Sequence, residues 1–98
     1  MKMTVGDLLP SAVVDVTVDG LPVDFTTASS VTVVGTTVET GVQLFSRAAT
    51  SATAQGVVTL AWQASDTNAA RTISLRIVGV FPGGTRTFLV RQTVNVTA

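Results

Sequence analysis

Residues 71–96 alternate between apolar and polar side chains and reverse once, at Pro82-Gly83-Gly84. Ile73, Leu75 and Ile77 fall on one side of the outgoing segment, and Thr72, Ser74 and Arg76 fall on the other. That is the period-2 pattern of a strand with one buried face. Beyond Arg76 the second side also turns apolar, through Val78 and Val80, with Gly79 between them as a candidate bulge or close backbone approach. On the return, Phe88, Val90, Val94 and Val96 share one phase, while Arg91, Thr93 and Asn95 take the other. Pro82 presets φ for the turn, and Gly83 or Gly84 accepts a positive φ without a Cβ penalty. A long hairpin of this kind needs a second layer over its apolar face, which the rest of the chain must supply.

Upstream of it, residues 1–10 read as an N-terminal arm or edge segment, with Pro10 holding Leu9 extended. Residues 12–18 form a strand with Ala12, Val14, Val16 and Val18 on one face and Asp15 and Thr17 opposite. Asp19-Gly20 is a hairpin turn that takes φ > 0 at both central positions. Pro22 confines the segment after it to an edge or a turn, and Asp24, with Thr26 and Thr27, orders the corner through local hydrogen bonds. Residues 31–34 and Val38 make the next strand region, interrupted at Gly35; Glu39-Thr40-Gly41 then turns into residues 42–45. Residues 46–55, SRAATSATAQ, are small and polar and read as a mobile loop. Gly56 opens a strand over 57–62 with Val58, Leu60 and Trp62 on one face, and residues 63–70 form a loop with one helical turn capped by Ser65 or Asp66. About seven short strands with turn signals between them predict a single all-β domain over 1–98, a two-sheet β-sandwich.

Composition narrows function. Valine and threonine supply 18 and 17 of the 98 residues, and both are β-branched and stiff at χ1. There is no cysteine, so no disulfide supports the fold and no thiol chemistry is on offer. Six basic and six acidic residues balance, which argues against nucleic acid as a partner. They are segregated along the chain: residues 1–49 carry net −3 and residues 50–98 net +3. Either the two halves pair their charges within one sandwich, or neighbouring subunits attract each other. A charged fraction of 12%, against about 25% in typical soluble domains, suits a protein packed against others. No signal-peptide pattern and no stretch of about 20 apolar residues stands in the sequence, so the expectation is a chain made in the cytoplasm with no membrane partner.

The inventory for catalysis is nearly empty, because His, Cys and Tyr are all absent. The acids sit in turns or on strand faces, where Asp19, Asp24 and Asp66 read as structural. Asp7, Asp19 and Asp24 could in principle hold calcium, and Gly83-Gly84 beside Arg86 could cradle an anion. Turn chemistry accounts for both sets, so no metal, cofactor or catalytic residue is expected. Trp62 reads as core rather than as a carbohydrate platform. Arg71, Arg76, Arg86 and Arg91 read as a ladder across the hairpin, and Val33, Val78, Val80 and Leu89 as apolar residues in excess of what a core needs.

Four stretches carry a resemblance. Thr4-Val5-Gly6-Asp7-Leu8-Leu9-Pro10, the corner Asp19-Gly20-Leu21-Pro22-Val23-Asp24-Phe25-Thr26, the strand and Asp-Thr over residues 57–67, and the hairpin Phe81-Pro82-Gly83-Gly84-Thr85-Arg86-Thr87-Phe88 resemble, in order and spacing, small phage virion domains related to the N-terminal domain of the siphophage baseplate upper protein. The resemblance implies an immunoglobulin-like β-sandwich built into a phage particle, with no catalysis. The sequence ends where the sandwich ends, without the distal segments of baseplate proteins, so a position on the tail, the baseplate or the capsid stays open.

Three functions follow as expectations. The first is a structural virion protein of the tail or baseplate, present in symmetric copies and bound to other virion proteins. The second is a capsid decoration protein docked on the major capsid protein through residues 2–10. The third is a carbohydrate- or surface-binding module. The interface residues expected for the first two are Leu8, Leu9, Arg76, Val78, Val80, Leu89 and Arg91.

Overall fold

The computed structural model describes residues 2–8, 11–90 and 93–98. Eleven strand segments occur in the order β1 (Lys2–Thr4), β2 (Ala12–Asp15), β3 (Thr17–Val18), β4 (Leu21–Pro22), β5 (Ser30–Thr37), β6 (Gln43–Ala48), β7 (Ser51–Ala52), β8 (Val57–Leu60), β9 (Arg71–Phe81), β10 (Gly84–Leu89) and β11 (Val94–Thr97), with a 3₁₀ turn at Ala64–Asp66 before β9. The large sheet runs β1-β11-β9-β5-β6, with β10 also paired to β9; the smaller sheet runs β2-β8-β7, and β3 and β4 form a separate ribbon. The chain is an all-β, two-sheet sandwich.

β9 is the strand that the hairpin pattern predicts, and its return leg is split. β10 pairs with it from Gly84↔Phe81 to Leu89↔Arg76, and β11 resumes at Val94↔Ile73. Four residues on the return side therefore oppose two on β9. An even excess preserves the side-chain phase, which is why Phe88, Val90, Val94 and Val96 all turn inward as read from the sequence. Gly84, at φ 135, is the glycine that takes the positive φ of the turn.

Between the sheets, Ile73 and Ile77 are fully buried, with Leu75, Val33, Phe45, Val94 and Val96 beside them from the large sheet. Ala12, Val16, Val58, Leu60 and Trp62 cover them from the other side. Phe25 closes one end against Phe81 and Phe88, at centroid distances of 6.0 and 5.9 Å.

Four local readings are corrected. Val18 does not share the inward face of Ala12, Val14 and Val16: the strand ends at Asp15, Val16 binds Gly56 and Val23 through its backbone, and Val18 emerges exposed in the β3–β4 ribbon. Gly35 does not interrupt β5; the strand runs through it, with a register shift against β6 between Gly35 and Thr36. Residues 46–55 are not a loop throughout, because β6 continues to Ala48 and β7 follows at once. At that point the chain changes sheets: the Ala49 N–H donates to the Val31 carbonyl of the large sheet, and the Thr50 N–H to Thr59 of the small one. In the turn before β9, the capping position falls to Gln63, and Asp66 is its third residue.

Gly35 shows what the absence of a side chain permits. A Cβ there would lie 2.3 Å from Phe45 Cε2, so the buried ring packs directly on the strand backbone. Gly35→Ala is expected to destabilise the fold by about 1–3 kcal/mol, the range for overpacking a filled core, with a lower urea midpoint and an unchanged slope. At the corner, Asp24 accepts from the Thr26 hydroxyl at 2.5 Å and from the Thr26 N–H at 2.9 Å. The Thr26 hydroxyl first, and then its N–H, hold the Asp24 carboxyl below its ordinary range. Because the folded value is the lower one, this contribution is present above the unfolded carboxylate range and fades as pH falls through the folded value. Carboxyl-carbon NMR is expected to show Asp24 titrating low in the native chain and nearer the ordinary value in Thr26→Ala; an unmoved midpoint would rule this out.

Candidate functional site

The register of the large sheet decides where the surplus apolar residues go. Ile73, Leu75 and Ile77 face the core, so Arg76, Val78 and Val80 must face away. Their neighbours follow from the pairing: Val34, Arg76 and Leu89 form one row across β5, β9 and β10; Thr32, Val78 and Thr87 the next; Ser30, Val80 and Thr85 the third. Four of the expected interface residues thus lie on one outward face. Leu89 is 80% exposed and Val80 38%, Val78 is half-buried, and Arg76 is exposed and the one charge in these rows.

Other expected residues lie elsewhere. Leu8, 45% exposed, follows the turn after β1, where Thr67 accepts from the Gly6 N–H and donates its hydroxyl to the Asp7 carbonyl. That is the Arg71 end of β9, far from Val80. Leu9 and Arg91 lie outside the described residues. Val33, read as surplus, is 1% exposed and belongs to the core. The arginine ladder does not form, because Arg71 and Arg86 stand on the inward phase of the sheet and Arg76 on the outward one. Arg86 lies over the rings of Phe88 and Phe81, 4.9 and 6.0 Å from their centroids, and Arg71 donates to Asn68 Oδ1 at 2.9 Å.

The remaining candidates find structural roles. Asp7 accepts from the Thr4 N–H and Asp24 from Thr26, while Asp19 sits at the ribbon turn with φ 53; no three metal-ligating side chains cluster among the described residues. Trp62 is 5% exposed and meets Phe45 edge-on at 6.2 Å and 89°. Its indole N–H has no partner in the structure. A buried ring cannot serve as a sugar platform.

One feature was illegible in the sequence. Arg47 forms a bidentate pair with Asp66, at 2.5 and 2.8 Å. Asp66 is 1% exposed, and its carboxylate also accepts from the Gln63 N–H at 2.8 Å. The same guanidinium lies 4.3 Å from the Phe45 centroid and donates to the Ala61 carbonyl. One cation thereby ties β6 to the 3₁₀ turn and the end of β8. Nothing in the spacing joins residues 47 and 66; the available signal was a lone cation in a run of Ala, Ser and Thr. This pair does join the two halves of the chain, though through the minority charge of each: a cation from the acidic half and the carboxylate from the basic one.

The two sides of the sandwich differ. On one, the passage from β6 into β7 joins the sheets. On the other, β2 and β10 are both edges, separated by an open cleft of about 670 Å³ lined by residues 13–17 and 87–90. No helix among the described residues is long and apolar enough to cross a membrane.

Arg47→Ala would strand a buried carboxylate, and a loss of about 3 kcal/mol in urea unfolding is expected. Arg47→Lys keeps the charge but not the two-pronged geometry and is expected to fall between the two; an Ala variant as stable as the native chain would contradict the assignment. No family model matches this chain, and no curated protein or solved structure matches it either.

Proposed function

We propose that this chain is a non-enzymatic structural protein of a tailed-phage virion, associated with the tail or baseplate and assembling through protein–protein contacts. The observation that carries the assembly reading is the outward face of the large sheet. Val78, Val80 and Leu89 stand there among threonines and serines, with Arg76 the one charge in three rows. Depletion of charge at the centre of a patch marks interfaces better than bulk hydrophobicity does, and a sheet face of this make-up is solvated by hydroxyls rather than by ions.

The phage setting rests on the four resembling stretches, and the two-sheet β-sandwich is compatible with the immunoglobulin-like domain they imply. The virion, reached after synthesis in the host cytoplasm, is the corresponding location. Capsid decoration is the weaker reading, because docking through residues 2–10 needs a free arm. Lys2–Thr4 is instead an edge strand paired in parallel with β11, and Met3 is buried. A carbohydrate module is weaker still, since Trp62, Phe25 and Phe45 are all core.

Light scattering on the purified chain, alone and with purified phage capsids, tests the proposal. The expected result is a closed oligomer several times the 10.1 kDa chain mass, broken down by Val78→Asp with Val80→Asp while circular dichroism stays unchanged. A chain that stays small and sediments with capsids overturns the tail reading in favour of decoration. One that stays small and ignores capsids overturns assembly altogether.

A further inference from the structure

We propose that β10 is a self-pairing edge: two copies of this chain join antiparallel along Gly84–Leu89, about a two-fold axis at Thr87, into one continuous sheet. The inference does not depend on the phage setting.

The first observation is which backbone groups are free. The Val90 N–H donates to the Leu75 carbonyl at 3.1 Å, so residue 90 points its backbone at β9. Antiparallel pairs alternate in this respect. Residues 84, 86 and 88 therefore bond to β9, and Thr85, Thr87 and Leu89 direct their N–H and C=O groups the other way. Among the described residues no strand pairs with that side of β10, and the cleft toward β2 leaves room there.

The second observation is that the edge is unguarded. Natural edges are blunted by lysine, proline, bulges or short length. β10 is six residues long, has no proline or lysine, and stays in register with β9 throughout. Its one charge, Arg86, is turned over Phe88 and Phe81 rather than outward across the edge. The opposite edge of the sheet, β6, is different, because its chain crosses directly into β7 and closes that side.

The third observation selects a second copy as the occupant. A two-fold axis at Thr87 sets Thr87 against the partner's Thr87, Thr85 against the partner's Leu89, and Arg86 against the partner's Phe88. Every outward N–H and C=O of Thr85, Thr87 and Leu89 then finds a mate. Thr–Thr is a favourable cross-strand pair, and the non-hydrogen-bonded pair, in which side chains lie closest, joins a cation to an aromatic ring. Moving the axis to Thr85 would set Thr87 against the partner's Gly83, which lies in the turn, and the match is lost. With the axis at Arg86, two arginines would stand directly opposite each other, a destabilising pair, so the register about Thr87 is the better matched.

Cysteine placement reads that register directly, because the chain has no cysteine of its own. In a hydrogen-bonded antiparallel pair the Cα atoms are about 5.5 Å apart, within disulfide range, so Thr87→Cys is expected to oxidise to a covalent dimer. Thr85→Cys, two positions from the axis, is expected to stay largely monomeric. In parallel, sedimentation of the Val78→Asp, Val80→Asp variant, which is expected to lack the larger oligomer, at roughly 100 μM, a concentration suited to a small interface, is expected to show mass rising from 10.1 kDa towards twice that value. In that background Thr87→Lys and Thr87→Glu alone are expected to remain at the single-chain mass, and an equimolar mixture to recover the dimer. Both side chains project from an exposed site, so folding is retained. A face-disrupted chain that stays monomeric, equal cross-linking at residues 85 and 87, or a mixture that fails to associate would each overturn the proposal. A native chain that forms nothing larger than a dimer while Thr87→Cys cross-links would overturn the virion reading alone, and a larger oligomer without that cross-link would overturn this one alone.

Discussion

The large sheet depends on β9 being paired along both edges at once. β5 runs beside it for eight residues, from Ser30↔Val80 to Thr37↔Ile73, while β10 and β11 share its other edge. Its inward residues are thus enclosed laterally before the second sheet covers them, and Ile73 and Ile77 lose all their exposure. Each such side chain contributes roughly 1.5–3 kcal/mol of burial, and each is held to the inward face by both neighbours. A one-residue slip of β9 would put Arg76 into the core and Ile77 into water. The two-residue excess between β10 and β11 is tolerated because it is even. The same register that builds the core also fixes the composition of the outer face.

A second constraint ties the layers together. Phe45 rests on the bare backbone of Gly35, meets Trp62 edge-on, and carries the Arg47 guanidinium on its other contacts. Arg47 in turn neutralises Asp66, whose carboxylate holds the 3₁₀ turn leading into β9. This chain of contacts runs from β5 through β6 to the end of β8. A buried pair of this kind is weak evidence for added stability, since a well-packed apolar replacement can do as well. What it supplies is connection: neither charge can be satisfied unless β6 and the turn are both in place.

The strong readings of the sequence were those in which local chemistry and burial agree. The alternation of β9, the Asp19-Gly20 turn, the glycines after Pro82 and the inward phase of Val58, Leu60 and Trp62 are all set by nearest neighbours, and they appear as read. Residues 46–52 failed because Ser, Arg and Ala carry little intrinsic strand signal, and the one threonine, Thr50, lies between the two strands; their strands exist through pairing with β5 and β8, which is a tertiary effect. Val18 failed because alternation assumes a straight strand, and the chain bends at Val16 to bond Gly56 and Val23. For the site, the surplus of Val78, Val80 and Leu89 was visible, but one strand cannot say which face is inside. Only the pairing places Leu89 beside Arg76 and separates Arg76 from Arg86. Leu8 was drawn in by its apolarity alone, and the fold sets it at the other end.

An outward face rich in valine and threonine answers two demands at once. β-branched residues favour the extended backbone on both faces of a strand, so threonine supports the sheet as valine does while keeping a hydroxyl for water. In each of the rows through Val78 and Val80, the valine is flanked by hydroxyl residues on both neighbouring strands. An apolar side chain is therefore never next to another across the sheet there, which limits the contiguous dry area of a free chain. The cost of covering such a face is also low. A threonine hydroxyl that loses water can donate to a partner's backbone or side chain, whereas a lysine or glutamate would bring a desolvation penalty of several kcal/mol. The near-absence of ionic side chains that makes the face an unusual surface for a monomer is what allows the rows through Val78 and Val80 to be buried without a charged counterpart, leaving Arg76 alone to be matched by whatever covers it.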